Sequence, residues 1–120
     1  FTFISDLINA IELLISAVPD NKFNSKTEHS KIDSKSPVAP FRVINIGNSC
    51  SVPLMEFIKA IEEALTKKAI KNFLPIQAGD VPETLADTSL LSEITGYKPS
   101  TNVKDGVKLF VDWYREYYNI

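Results

Sequence analysis

The chain is poor in the residues that build metal sites and disulfides. Its 120 residues contain one cysteine, Cys50, and one histidine, His29. A single cysteine excludes an internal disulfide and any multi-cysteine metal site, and it suits a reducing cytoplasm. His29 has neither a cysteine nor a second histidine near it, so we expect an ordinary surface residue and no metal site.

The four glycines are too widely spaced for a phosphate-binding loop. They stand at Gly47, Gly79, Gly96 and Gly106, which fits neither G-x-G-x-x-G nor a Walker-type loop. The sequence also lacks G-x-S-x-G, and none of its tyrosines is followed by a lysine four residues later. We therefore expect no catalytic residue and no bound cofactor in this chain.

Long apolar runs and basic clusters are absent as well. The longest apolar cluster, "LLISAV" at 13–18, is far below the roughly 20 residues that cross a bilayer. A net charge of −2 without a basic face argues against nucleic acid. With 44% hydrophobic and 23% charged residues, the composition is that of a globular protein of one domain, residues 1–120.

The hydrophobic pattern predicts an α/β fold in the order β-α-β-α-β-loop-α-α. Apolar and β-branched runs at 1–5, 41–47 and 69–76 are strand candidates, and strands that alternate with helices usually pair in parallel. Helical periodicity appears in four segments, beginning near Ser5, near Ser51, near Ser89 and at 103–118. The polar segment 20–36 predicts an exposed, partly disordered insertion.

Several residues have the chemistry of helix ends. Ser5 and Ser51 are candidate N-caps, Pro53 suits a first turn, and Lys67 and Lys68 suit a last turn. Gly96 should end the third helix, which either Asp87 or Thr88 caps, and we assign Asp87 to capping. The tyrosines of 103–118 have helical spacing, so we expect them at the core or rim of the terminal helix: Tyr114, Tyr117 and Tyr118.

Cys50 stands close to the predicted start of the second helix. A thiol at a helix start can be reactive. The alternative is a plain small residue in a turn, and the sequence favours it because proximity is the only signal.

The loop "QAGDVPETLAD" at 77–87 holds the candidate site. Gly79 allows close backbone approach, and the Asp80 carboxylate can accept two hydrogen bonds from a vicinal diol. Gln77 offers both a donor and an acceptor. The local alternative is that Asp80 only caps a turn around Val81, since Asp and Gly are common turn residues.

Four segments, read together, resemble a known family: "FTFISDLINAI", "APFRVINIGNS", "KNFLPIQAGDVPETLADTSLL" and "GYKPSTNVKDGVKLFVDWYREYY". They look like the C-terminal portion of the extended short-chain dehydrogenase/reductases that act on nucleotide sugars, closest to the NAD-dependent UDP-glucuronate 4-epimerase branch. The chain begins at Phe1, and we expect a piece of a longer protein.

The resemblance implies that the cofactor and the substrate nucleotide are bound by different parts of the protein. In that family an N-terminal Rossmann domain, absent here, binds NAD and supplies a Tyr-x-x-x-Lys pair, while a small C-terminal domain of strands and helices grips the UDP-sugar. By matching position, Asp80 bonds the ribose hydroxyls, and Gln77 takes the place of an arginine at the diphosphate. The fragment is then catalytically silent, and its parent is expected to be a cytoplasmic homodimer.

Three positions depart from the family pattern: Phe3, Ser5 and Leu85 stand where tyrosine, aspartate and tyrosine are common. Phe3 and Ser5 put a polar role at the start of the chain in doubt and leave the fold untouched. Two alternatives stay open: another sugar-nucleotide epimerase or dehydratase, or a binding module without enzymatic role.

Overall fold

The regular secondary structure is helical. A computed structural model describes residues 1–19, 36, 38–81 and 83–120. Within these ranges lie four helices: α1 (Ile4–Ile15), α2 (Leu54–Leu65), α3 (Ser89–Thr95) and α4 (Val103–Tyr118). None of them is long and apolar enough to span a bilayer. The predicted insertion at 20–36, which contains His29, lies outside the described residues except for Ser36.

The predicted α/β fold with parallel strands is wrong. Of the three strand candidates, 1–5 runs into α1, 41–47 has a single bridge at Arg42, and 69–76 forms no strand among the described residues. A strand needs a neighbour to take its backbone hydrogen bonds. The apolar pattern predicts which side chains favour burial. It does not predict whether a partner strand exists.

One compact unit contains α2 and α4. It comprises Phe1, Cys50–Leu85 and Thr101–Ile120. Val107 and Val111 of α4 are buried in it, and Arg115 Nη2 donates a hydrogen bond of 3.3 Å to the carbonyl of Leu65 at the end of α2. The Phe1 ring also stacks on Phe57, with centroids 4.1 Å apart. Lys104 of α4 also pairs with Glu63 of α2 at 3.5 Å. Apolar packing, one hydrogen bond and one ion pair therefore join the two helices.

Helix α4 has the predicted bounds, 103–118, and these are confirmed. Asn102 caps it, because its side-chain oxygen accepts the Asp105 N–H at 2.9 Å. The predicted apolar stripe is buried only at Val107 and Val111. Its aromatic residues stay exposed and contact one another along the helix: Phe110, Trp113, Tyr114, Tyr117 and Tyr118.

The second compact unit, Thr2–Ser49 and Ala86–Ser100, contains α1 and α3. Ala10 of α1 and Leu91 of α3 are fully buried. The buried Asp6 carboxylate accepts the Tyr97 hydroxyl at 3.0 Å and the Ser100 N–H at 3.2 Å. Burial raises the pKa of Tyr97, so its hydroxyl stays protonated, and able to donate, to a higher pH than an exposed tyrosine.

The predicted helix ends are partly confirmed. Gly96 ends α3 with φ 69°. The N-cap position of α3 is Thr88, whose side chain forms no cap bond, and the carboxylate of Asp87, one position earlier, accepts the Ser89 N–H at 2.9 Å. The serine caps are wrong: Ser5 lies inside α1, and Ser51 precedes α2, whose N-cap position is Pro53. Neither helix has a side-chain cap bond.

Candidate functional site

The segment Gln77–Asp80 forms a tight turn. The Asp80 N–H donates to the Gln77 carbonyl at 3.2 Å, which closes the turn. Gly79 has φ +97°, in the left-handed region that favours glycine, and a Cβ there would meet no atom within 4 Å. The backbone conformation, and not a lack of space, therefore requires glycine at this position.

The turn presents its polar side chains to solvent. Gln77, Gly79 and Asp80 are all exposed. Within the described part of the chain, neither the Gln77 amide nor the Asp80 carboxylate forms a hydrogen bond. The local alternative, in which the Asp80 side chain caps its own turn, finds no bond among these residues. An amide and a carboxylate three positions apart thus keep their full capacity to bond a ligand with hydroxyl and N–H groups.

An extended segment, 69–76, connects this turn to α2, and Glu62 holds the beginning of that segment. Glu62 is a buried residue in the last turn of α2. Its carboxylate accepts the Ala69 N–H at 3.0 Å and the ammonium groups of Lys68, at 3.1 Å, and Lys71. The hydrogen bond from Lys71, followed by those from Ala69 and Lys68, lowers the pKa of Glu62 to about 2.

The sequence contained a signal for Glu62 that the prediction missed. Lys68 was assigned to the helix dipole, whereas in the structure it binds Glu62. A carboxylate in the last turn of a helix opposes the dipole. Such a residue, followed by lysines six and nine positions later, indicates a carboxylate that binds the chain beyond the helix.

The glycines serve local structure. Gly79 forms the turn and Gly96 ends a helix, as described above. A Cβ on Gly47 would lie 3.0 Å from the Cβ of Ala86, so Gly47 permits close packing. Gly106 is buried within α4.

Other candidate chemistry is sparse. Cys50 is exposed and lies four positions before the first residue of α2, so it is not at the helix start. The described ranges hold no group of three or more His, Cys, Asp or Glu side chains that could bind a metal. Among these residues, the turn Gln77–Asp80 is the feature best suited to bind a ligand.

The chain is similar in sequence to proteins about three times its length. No family model matches it. It is 44% identical over 118 residues to the probable UDP-glucuronate 4-epimerase of Rhizobium meliloti (strain 1021), covering 98% of this chain and 34% of that protein. It is 44% identical over 120 residues to protein CapI of Staphylococcus aureus, covering 98% and 35%.

A plant relative gives the same result at lower identity. UDP-glucuronate 4-epimerase 4 of Arabidopsis thaliana is 35% identical over 120 residues, which cover 99% of this chain and 26% of that protein. The chain thus spans about a third or less of these relatives. Over nearly its full length it is homologous to part of proteins named UDP-glucuronate 4-epimerase, in agreement with the resemblance read from the sequence.

Proposed function

We propose that this chain is the UDP-sugar-binding, C-terminal portion of a longer NAD-dependent nucleotide-sugar 4-epimerase of the UDP-glucuronate type. The observation that carries the proposal is the homology of almost the whole chain to about a quarter to a third of proteins named UDP-glucuronate 4-epimerase. The exposed turn between α2 and α3 supports it, because its amide and carboxylate suit a ribose and a diphosphate.

The side chains of the turn have distinct proposed roles. The Asp80 carboxylate accepts hydrogen bonds from the two ribose hydroxyls. The Gln77 amide donates to the diphosphate, where a neutral group makes a weaker bond than an arginine would. Gly79 keeps the backbone of the turn open to the ligand, since it presents no side chain and already has the required positive φ.

The reacting part of the sugar would be handled elsewhere. Oxidation at C4 and return of hydride are chemistry that NAD supplies, and the glycines of this chain do not fit a dinucleotide. We propose that NAD and the proton-transfer groups belong to the rest of the longer protein. The role of the turn is then to hold the nucleotide while the sugar half moves.

The test is a calorimetric titration of the purified chain with UDP. We expect saturable binding that Asp80→Ala weakens at least about tenfold, because a charge-assisted bond contributes about 1.5–3 kcal/mol. Glu83→Gln is the matched control, since it removes a second carboxylate from the same loop and should leave the affinity unchanged. Equal affinities for Asp80→Ala and the unsubstituted chain would contradict the proposed role.

The chain alone should not convert UDP-glucuronate in the presence of NAD. Separation of the two sugar nucleotides measures conversion. Turnover by the purified chain would contradict the proposal that catalysis needs the rest of the longer protein.

A further inference from the structure

Glu62 holds the chain in a defined path directly after α2. Helix α2 ends at Leu65, and its C-cap residue, Thr66, has a left-handed φ of 56° that turns the chain out of the helix. Three groups just after the helix donate hydrogen bonds to the Glu62 carboxylate: the side chains of Lys68 and Lys71 and the N–H of Ala69. These bonds fold the start of the extended segment 69–76 back onto the helix.

We propose that Glu62 is a positioning residue for the nucleotide-binding turn Gln77–Asp80. It acts through the extended segment 69–76, whose start it fixes. The inference rests on the proposed function, because it names the residue that places the same turn. Glu62, the extended segment and the turn all belong to one compact unit.

The extended segment has little else to fix it. Its large apolar side chains are exposed, with Ile70 fully exposed, Phe73 at 77% and Leu74 at 73%. Its backbone pairs with no strand within the described ranges. Since neither burial nor a backbone ladder holds it, the bonds to Glu62 are the strongest contacts at its beginning.

The position of Glu62 opposes the local electrostatics of the helix. The C-terminal end of a helix carries a partial negative charge and favours lysine or arginine. A carboxylate there is stabilised by its partners, and Lys71 is a close one whose side chain is only 29% exposed. The pair is therefore shielded from solvent better than an exposed ion pair, and it can restrain the chain.

The expected consequence concerns binding more than folding. Without the anchor, α2 keeps its packing on α4, and the extended segment samples more conformations. Binding of UDP must then order more backbone. We expect UDP to bind about tenfold more weakly, which corresponds to the cost of ordering the backbone of about one further residue.

The experiment compares Glu62→Gln with Glu63→Gln in the full 120-residue chain. Glu63 is the neighbouring carboxylate, and it pairs with Lys59 and Lys104 on the surface. Both variants remove one charge from the same turn of α2. Two quantities are measured for each: the dissociation constant for UDP and the amide hydrogen exchange of peptides from α2 and from 69–81.

We expect Glu62→Gln to weaken UDP binding and to accelerate exchange in 69–81 while α2 stays protected. Glu63→Gln should change neither quantity. A second pair of variants tests the ion pair itself: Lys71→Met should behave like Glu62→Gln, and Lys71→Arg should retain the affinity and the protection of the unsubstituted chain.

Unchanged affinity in Glu62→Gln, in a chain that binds UDP and loses affinity in Asp80→Asn, would overturn this inference alone. Loss of protection throughout α2 would also overturn it, since Glu62 would then be a structural residue. If the unsubstituted chain did not bind UDP, the proposed function would fail first, and this inference with it.

Discussion

At the scale of single residues, the two buried carboxylates bind other parts of the chain, whereas the carboxylate proposed to bind a ligand is exposed. Asp6 and Glu62 are the buried carboxylates of the described residues, and both accept hydrogen bonds from nearby groups. Asp80 is exposed, and no described group donates to its side chain. The same functional group therefore fixes the chain at two positions and stays open to solvent at a third.

Asp6 joins the start of α1 to the segment after α3, and its removal should destabilise the fold. Asp6→Ala leaves the Tyr97 hydroxyl and the Ser100 N–H without their acceptor, so we expect the free energy of unfolding to fall by about 1–3 kcal/mol. Urea unfolding followed by circular dichroism measures the change. Glu12→Ala is the control, because Glu12 is exposed on the same helix.

A difference below about 0.5 kcal/mol between Asp6→Ala and Glu12→Ala would contradict the structural role, because surface substitutions commonly fall within that range.

At the scale of secondary-structure elements, helix ends show which sequence signals act locally. Asn102 begins α4 by accepting the Asp105 N–H, and its own amide donates to the Asp105 carboxylate at 2.6 Å. Such a bond satisfies one of the free N–H groups of a first helical turn. It depends on residues three positions apart, which is why the sequence can specify it.

Asn102→Ala should lower the free energy of unfolding by about 1 kcal/mol. Asn102→Ser should retain most of the stability, because a serine oxygen can also accept the N–H. The measurement is again urea unfolding, with both variants in one buffer. Equal stability of the alanine and serine variants would show that the cap bond contributes nothing.

The predictions from sequence succeeded where contacts are close in the chain. The stripe of valines and aromatic residues predicted both ends of α4 correctly. Gly96 predicted the end of α3, because a residue with a left-handed φ can end a helix. The strand candidates failed because a strand depends on a partner that can lie anywhere. The segment 69–76 has the apolar pattern of a strand and no partner strand among the described residues.

The sequence predicted a polar loop at 77–87, and the structure has a turn at Gln77–Asp80 within it. The binding roles of Gln77, Gly79 and Asp80 stay a prediction. Glu62 was not predicted: its place in the last turn of α2 and the lysines that follow were a signal, but its bonds to Lys68 and Lys71 form where the chain folds back on α2.

At the scale of the whole molecule, much apolar surface is exposed. In α1, isoleucines form one exposed stripe at helical spacing: Ile4, Ile8, Ile11 and Ile15. The aromatic residues of α4 form another. Contiguous exposed apolar patches mark surfaces that bind other protein or promote association. The proposal that the chain is part of a longer protein gives these surfaces a reason, because further chain could cover them.

The purified chain should therefore bind a dye for apolar surface, such as anilinonaphthalene sulfonate, and should associate as its concentration rises. Replacing Ile8 and Ile11 by lysine should reduce dye fluorescence and association at retained helicity. Glu12→Lys is the control for added positive charge on α1. Sedimentation velocity across concentrations measures association, and a lysine variant that associates like the control would contradict this explanation.

The measurement that tests the central claim most directly compares UDP with its 2′,3′-dideoxy analogue. If Asp80 binds the ribose hydroxyls, the unsubstituted chain should bind UDP at least about tenfold more tightly than the analogue, because the carboxylate loses two hydrogen bonds. The Asp80→Asn variant should lose most of this discrimination. Equal affinity of the unsubstituted chain for UDP and for the dideoxy analogue would contradict the account.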